Sequence, residues 1–295
     1  MKASDRIMIR VIVNADDLGK SPAVNSEIGQ ALSNGYITSS TILANSLYWD
    51  EVHDIVNSNP QASFGVHLNL TEGKALMESS LFRALGVVDN DNNFTSNIKT
   101  LDLSNSDLLE AIYLEWDEQM HKIICDEKIT VTHVDGHHHI HTDIRLLEVL
   151  IRLLQKWNIK YVRGRYNTIE SNKKVFFRRC LYAFSGKYLY HFLLKLNSIG
   201  IHSWFTQAIL SNVETIYWSK VVKKNLHIVD KFDSYEHFVN QLLLGYKPSN
   251  NDVIELMCHP GHEKYVEEYQ MVMSKRLGGC LPDAALISYR NLNAE

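Results

Sequence analysis

The sequence predicts an α/β chain built on a parallel sheet or barrel, and three observations carry that prediction. Short apolar, β-branched runs alternate with segments of helical periodicity, the connections between them are short, and polar clusters follow one strand after another. The first run, Ile7 to Val13, has the composition of a buried strand. It stops at Asn14-Ala15-Asp16-Asp17-Leu18-Gly19, after which Ser21 offers an N-cap and Pro22 a first helical position. The helix runs to Ser33, where Asn34-Gly35 supplies a stop. A second strand is predicted over Thr38 to Leu43, a helix over Tyr48 to Asn57 ended by Pro60, and a third strand over Ser63 to Leu68. Residues 72–104, with Gly73, Gly86 and an Asp-Asn cluster at 89–93, read as a long loop region near a site or a partly helical insertion. An amphipathic helix (Asp107 to Cys125), a strand (Ile129 to Val134), a helix (Asp143 to Trp157) and a strand (Lys160 to Val162) follow. A later apolar strand, Val253 to Met257, leads into Cys258-His259-Pro260-Gly261.

Composition narrows the function classes. The 295 residues are 45% hydrophobic and 22% charged, which is ordinary for a globular chain and excludes wholesale disorder. The length would fit two average domains, yet α/β barrels of this size are single units. A net charge of −4 argues against a protein that lives on nucleic-acid phosphates. The four cysteines form no CxxC pair, so reduced thiols in a cytoplasmic protein are expected. The first residues lack a signal-peptide cleavage region, and no stretch has the roughly 18 apolar residues of a membrane span. Between Lys173 and His202 lie six Lys or Arg, many aromatics and no acidic residue. That segment reads as a lid or packing arm over the barrel or a partner subunit, in preference to a membrane- or polyanion-binding helix. GxSxG, Walker A and GxGxxG patterns are all missing, so serine hydrolase, NTPase and dinucleotide-binding readings have no support.

Histidine is the outlying count: 14 in the chain, five of them between His133 and His141. In a parallel βα architecture the C-terminal strand ends converge on one face, which would gather Asp16-Asp17, His67, the His133–His141 run and His259. An Asp pair after a strand is commonly a turn or a helix cap, although here Ser21 already serves the cap. The alternative is a division of roles, one carboxylate on a cation and the other handling protons. His67 alone would be a satisfied core histidine, and it gains meaning only in combination. In extended chain His133, Asp135, His137 and His139 would share a face. They cannot all ligate one ion, so some of them orient ligands or touch substrate. His259 sits at a sharp Pro-Gly turn that suits a general acid or base. An aspartate with two histidines fits a divalent metal with open positions, Zn²⁺ readily and Mg²⁺, Mn²⁺ or Co²⁺ as well. Such a set supports metal-assisted hydrolysis.

Taken together, Asn14-Ala15-Asp16-Asp17-Leu18-Gly19, Gly65-Val66-His67-Leu68-Asn69-Leu70-Thr71, Thr132-His133-Val134-Asp135-Gly136-His137-His138-His139-Ile140-His141 and Cys258-His259-Pro260-Gly261 resemble the motifs of the YdjC-like carbohydrate deacetylases. That family includes the chitooligosaccharide deacetylases. The resemblance implies a distorted TIM-type (β/α) barrel, often dimeric, with its active site at the C-terminal strand ends. It implies removal of acetyl groups from N-acetylated sugars with a divalent cation, Mg²⁺ or Zn²⁺. By motif, Asp17, His67 and His137 would be metal ligands, Asp16 the general base and His259 the general acid. Asp135, His138 and His139 would support the ligands or touch substrate, and Arg163 would contact substrate or an oxyanion. The chain departs from the pattern at Leu18, where phenylalanine is usual, at Gly136, where serine is common, and at Thr142-Asp143. The expected organisation is one domain over residues 1–295 with a lid or insertion at 168–215. A metal-dependent hydrolase of a phosphoester or non-sugar amide, and a non-catalytic metal- or sugar-binding protein, are the rival readings.

Overall fold

The computed structural model describes residues 9–95, 97–165 and 214–292. Its strands are β1 (Arg10–Leu18), β2 (Ser39–Ile42), β3 (Ser63–Leu68), β4 (Val131–Gly136), β5 (Tyr161–Val162), β6 (Lys231–Ser234), β7 (Val253–Cys258) and β8 (Ala285–Leu286). They lie in the order β5-β4-β3-β2-β1-β7-β6, with β8 beside β1, and every pairing is parallel. A bridge between Tyr161 and His227, just ahead of β6, draws the two ends of the sheet together, so the sheet curls as a barrel-like α/β fold requires. Helices α1 (Pro22–Ser33), α2 (Trp49–Ser58), α3 (Ser80–Ala84), α4 (Ser106–His121), α5 (Leu147–Lys156), α6 (Tyr235–Leu243) and α7 (Val266–Met273) accompany it. No helix among the described residues is long and apolar enough to cross a membrane. The insertion expected at 168–215 and the basic aromatic segment 173–202 lie outside the described residues, apart from residues 214 and 215, which are helical.

The period-2 alternation of strand side chains divides this sheet into two chemistries. Val11, Val13 and Ala15 of β1, Phe64, Val66 and Leu68 of β3, Val134 of β4, and Ile254, Leu256 and Cys258 of β7 belong to the main apolar core. The alternate positions are Ile12, Asn14 and Asp16; Ser39 and Thr41; Gly65 and His67; His133 and Asp135; Val253 and Glu255. Near the N-terminal ends this face is apolar, with Ile12, Val229, Val253 and Tyr289 in a separate cluster. Toward the C-terminal ends it turns polar while staying buried. Gly65 is needed there, because a Cβ would stand 2.7 Å from both the His133 ring and the His133 carbonyl oxygen.

Two local departures from the expected elements shape the site. β1 does not stop before Asn14 but continues to Leu18, with a register break between Ala15 and Leu18 and Asp17 at φ 72°. The histidine run is not extended throughout. β4 ends at Gly136, and 3₁₀ turns follow over His137–Thr142 with His138 and His139 at φ 51° and 57°. The shared face expected for His133, Asp135, His137 and His139 therefore holds only for the first two. Residues 72–104 form α3, a 3₁₀ turn at 97–100 and two isolated antiparallel bridges, in keeping with an irregular insertion. α1 begins as predicted, the Ser21 hydroxyl accepting from the Val24 N–H with proline in the first turn.

Beyond β7 the chain reverses at Gly261, whose φ is +79° and whose missing side chain lets Val24 and Ala23 of α1 approach. A Cβ there would lie 2.7 Å from Val24 Cα and 2.8 Å from the Ala23 carbonyl oxygen, both backbone atoms. Gly261→Ala is expected to lower stability by about 2 kcal/mol or more, from combined overpacking and left-handed strain. Thermal or urea denaturation would show it, and an unchanged midpoint would contradict this account of the turn.

Candidate active site

Asp16 and Asp17 are sequence neighbours with separate surroundings, because the left-handed backbone at Asp17 turns its side chain away from the strand alternation. Asp16 points into the barrel, where Arg163 grips it with two parallel hydrogen bonds, Nη1 to Oδ2 and Nη2 to Oδ1, both 2.7 Å. Asn14 donates a further bond of 2.9 Å to Asp16 Oδ1. Burial pushes the Asp16 carboxyl up, but the Arg163 guanidinium outweighs it and holds Asp16 well below the usual carboxylate range. Asp16 is therefore ionised.

Asp17 faces three histidines. Its Oδ1 lies 2.8 Å from His137 Nδ1 and 3.3 Å from His67 Nε2, and those two nitrogens are themselves 3.3 Å apart. Its Oδ2 lies 2.9 Å from His262 Nε2. Burial raises the Asp17 carboxyl, yet the neighbouring imidazoles of His137, His262 and His67 outweigh it and hold the group well below the usual carboxylate range. The far sides of the His67 and His137 rings are also engaged. His67 Nδ1 is 2.6 Å from Asp135 Oδ1, and His137 Nε2 is 2.8 Å from Glu72 Oε2. Burial depresses His67, but the carboxylates of Asp135, Asp17 and Asp16 prevail and raise it to about 10.

The geometry of these atoms suits a cation site. Asp17 Oδ1 is buried, and no hydrogen bond of acceptable geometry satisfies it. It forms a triangle with His67 Nε2 and His137 Nδ1 whose sides are 2.8, 3.3 and 3.3 Å. Donors bonded at about 2.1 Å to one ion stand roughly 3.0 to 3.4 Å apart, so the two 3.3 Å sides fit and the 2.8 Å side would open by a few tenths of an ångström on binding. Asp135 and Glu72 each occupy the opposite ring nitrogen, which fixes the tautomer that turns a lone pair toward Asp17. The buried Asp17, His67 and His137 could hold a metal ion.

His259 follows β7 and approaches the same point, with Nε2 4.0 Å from Asp16 Oδ2. Its ring stacks on Tyr265, centroids 4.3 Å apart, and its Nδ1 is 3.4 Å from Glu268 Oε2. The same Glu268 oxygen accepts the His259 backbone N–H at 2.7 Å. Burial lowers the His259 imidazole, but Glu268 and the Asp16 charge outweigh it and raise its pKa. An imidazole whose pKa is raised and a carboxylate whose pKa is lowered thus face each other beside the cluster, the kinds of group that acid–base hydrolysis uses.

The other residues singled out by sequence take distinct places. Asp135 is buried and spends its oxygens on His67, Thr41 and Arg163. Arg163 is fully buried, and its guanidinium contacts Asp16, Asp135 and Glu255, with Nε 2.6 Å from Glu255 Oε1. Its geometry is that of an internal clamp, not of a group open to substrate. His138 is exposed with Nδ1 2.9 Å from the Thr71 hydroxyl, and His139 is half-buried with its ring 6.0 Å from Phe232. Burial and the Arg163 charge hold His139 down at about 4. Sequence reasoning gave no role to Glu72, Glu255, His262, Glu268 or Tyr289. His262 was readable only as a second histidine after the Pro-Gly turn, and Glu255 only as a lone charge in an apolar strand.

Comparisons with known proteins follow this geometry. The family described as "YdjC-like protein" matches residues 10–282. A Clostridium beijerinckii protein named carbohydrate deacetylase is 25% identical over 256 residues, 86% of this chain and 82% of the relative. A protein of the same name from Thermoanaerobacter pseudethanolicus is 31% identical over 149 residues, 50% of this chain and 58% of that relative, under two thirds of its length. A crystal structure of a proposed cellobiose-phosphate cleavage protein from Enterococcus faecalis superposes with a TM-score of 0.68 and 22% identity. It covers 97% of this chain and 99% of that one, a likeness of fold.

Replacing Asp17, His67 or His137 by alanine is expected to lower the affinity for Zn²⁺ or Mn²⁺ by about 100-fold or more. His262→Ala, which touches only the outer oxygen of Asp17, should cost roughly 10-fold. Calorimetric titration of metal-stripped protein decides this; retained stoichiometric binding in the Asp17 variant would refute the assignment.

Proposed function

The chain belongs to the YdjC-like protein family, and on that premise we propose that it is a metal-dependent deacetylase of N-acetylated sugars, releasing acetate and an amino sugar. The observation that carries the reading is the convergence of a buried three-donor cluster with the Asp16 carboxylate and the His259 imidazole, whose nearest atoms are 4.0 Å apart. Asp17, His67 and His137 would hold the cation, Zn²⁺ fitting the donor set well and Mg²⁺, Mn²⁺ or Co²⁺ being alternatives. A divalent cation there supplies Lewis-acid chemistry, polarising the acetyl carbonyl and making water easier to deprotonate.

The chain's own residues do the rest. Asp16 takes a proton from the attacking water. Its low pKa makes it a weak base in isolation, a shortfall that the Lewis-acid chemistry of a bound cation would offset. Arg163 keeps the carboxylate ionised and fixes its plane. His259, its pKa raised by Glu268 and its ring stacked on Tyr265, delivers a proton to the departing sugar nitrogen. Glu72, His259 and His262 are the more exposed members, with side chains 50, 15 and 18% accessible, so they border the opening through which a sugar would enter.

The relatives named carbohydrate deacetylase support the substrate class, and the acetylated disaccharide N,N′-diacetylchitobiose is the first substrate to try. Metal-loaded protein is expected to release acetate from it or from a related acetylated sugar. Asp16→Asn should bind metal normally while kcat falls by about 1,000-fold or more, since the proton acceptor is lost with the geometry kept. Parallel assays for acetate and phosphate release test the rival ester chemistry. No acetate from a broad panel of acetylated sugars would sink the proposal.

A further inference from the structure

We propose that the C-terminal segment belongs to the catalytic apparatus, Tyr289 and Glu255 acting as positioning residues that set Arg163 and, through it, Asp16. The inference rests on the role given to Asp16 above. Residues 283–292 lie beyond the region that the family pattern matches. They are nonetheless built into the barrel. β8 pairs with the start of β1 through Arg10 and Val11, and the Ile287 N–H donates to the Val11 carbonyl at 2.9 Å. The next turn is fastened at both ends, Arg290 N to Ser63 Oγ at 3.0 Å and Tyr161 hydroxyl to the Leu292 carbonyl at 3.0 Å.

Tyr289 lies inside this anchor, 1% exposed, beneath the polar part of the barrel. Two routes lead from it to the same carboxylate. Its hydroxyl donates to Glu255 Oε2 at 2.5 Å, while Glu255 Oε1 accepts from Arg163 Nε at 2.6 Å. The remaining Arg163 nitrogens carry the two-point grip on Asp16, 2.7 Å on each side. Its ring stacks on His133, centroids 3.9 Å apart and planes 12° from parallel. His133 Nε2 stands 3.1 Å from Asn14 Oδ1, and Asn14 Nδ2 donates to Asp16 Oδ1 at 2.9 Å.

Glu255 is the hinge of the first route, because each of its oxygens has one of these partners. Without the Tyr289 hydroxyl, Oε2 would be buried and unmatched, and the carboxylate would be free to rotate toward Arg163. Since the guanidinium is planar, rotation about its Nε contact tilts both bonds to Asp16 together. A tilted Asp16 still binds no metal and still neighbours the cluster. What changes is the direction in which it can accept a proton.

Tyr289→Phe removes the hydroxyl and keeps the ring on His133. In the full-length, metal-loaded protein this variant should show a kcat for acetate release lower by about tenfold, with KM and metal affinity unchanged. Glu255→Gln should also lower kcat, and the double variant should be no slower than Glu255→Gln alone, because both act through one route. A normal kcat in Tyr289→Phe, losses that multiply in the double variant, or a fall in kcat accompanied by lost metal would each overturn the proposal. A readout independent of turnover separates this from the deacetylase reading. The NMR resonance of the Arg163 Nε–H, which is bonded to Glu255, should move in Tyr289→Phe whether or not the wild type hydrolyses any sugar. An unmoved resonance would overturn the proposal, whereas a wild type without acetate release leaves that spectral test to decide it alone.

Discussion

Arg163 is the interaction on which the rest of the structure depends. Its guanidinium is fully buried and meets Asp16, Asp135 and Glu255, carried by β1, β4 and β7. Arginine suits this place because its fork of donors is planar and always charged. Such a cluster is a poor way to gain stability, since desolvating the ions offsets most of their attraction. Removing one partner from a buried pair nonetheless costs about 3–5 kcal/mol, so the strands that carry it are committed to one another. One cation against three carboxylates leaves negative charge to be answered. The site meets this in two ways: burial raises Glu255, whose second oxygen takes the Tyr289 hydroxyl, and Asp135 Oδ1 lies 2.6 Å from His67 Nδ1. The ion cluster is thereby extended to the histidines of the proposed cation site.

The same strand alternation explains how much could be read from sequence. Apolar runs such as Val11 and Val13 or Ile254 and Leu256 reveal strands because they pack outward against helices, and the clusters that follow them mark the C-terminal ends. Asp16, Asp17, His67, His137 and His259 were legible because each stands at or just beyond a strand end, where parallel topology gathers distant residues. Arg163 was located, but its direction was not legible: whether a residue after a two-residue strand points inward or toward a ligand depends on tertiary packing. Glu72, His262, Glu268 and Tyr289 were invisible for the same reason. They reach the site from loops, a helix and the C-terminal segment, with no period to announce them. The histidine run misled in a definable way, since an extended reading cannot foresee the left-handed pair His138 and His139 that turns the chain at the end of β4.

That turn and the one at Asp17 are two of the places among the described residues where the backbone enters a conformation that side chains other than glycine seldom adopt. A residue held there costs of the order of 1 kcal/mol or more and persists when its surroundings fix it. Asp17 is fixed on every side: its carbonyl accepts the Lys20 N–H at 3.0 Å, and its carboxylate meets His262, His137 and His67. Strict alternation would have sent the Asp17 side chain away from that of Asp16 and into the apolar layer with Ala15. The left-handed residue instead lets two consecutive carboxylates serve one site from different directions.

An acid and a base that face the same substrate must also be kept from neutralising each other. Asp16 and His259 are 4.0 Å apart at their closest atoms, near enough for a direct proton transfer to be the obvious hazard. Each is protected by a stronger partner on its far side. Arg163 holds the Asp16 carboxyl well below the usual carboxylate range, and Glu268 shifts the His259 imidazole upward, which disfavours that transfer. The gap between the two pKa values comes from these outer residues, and it survives only while both are in place. The proposed chemistry would therefore depend on Arg163 and Glu268, which touch Asp16 and His259 from the side away from each other.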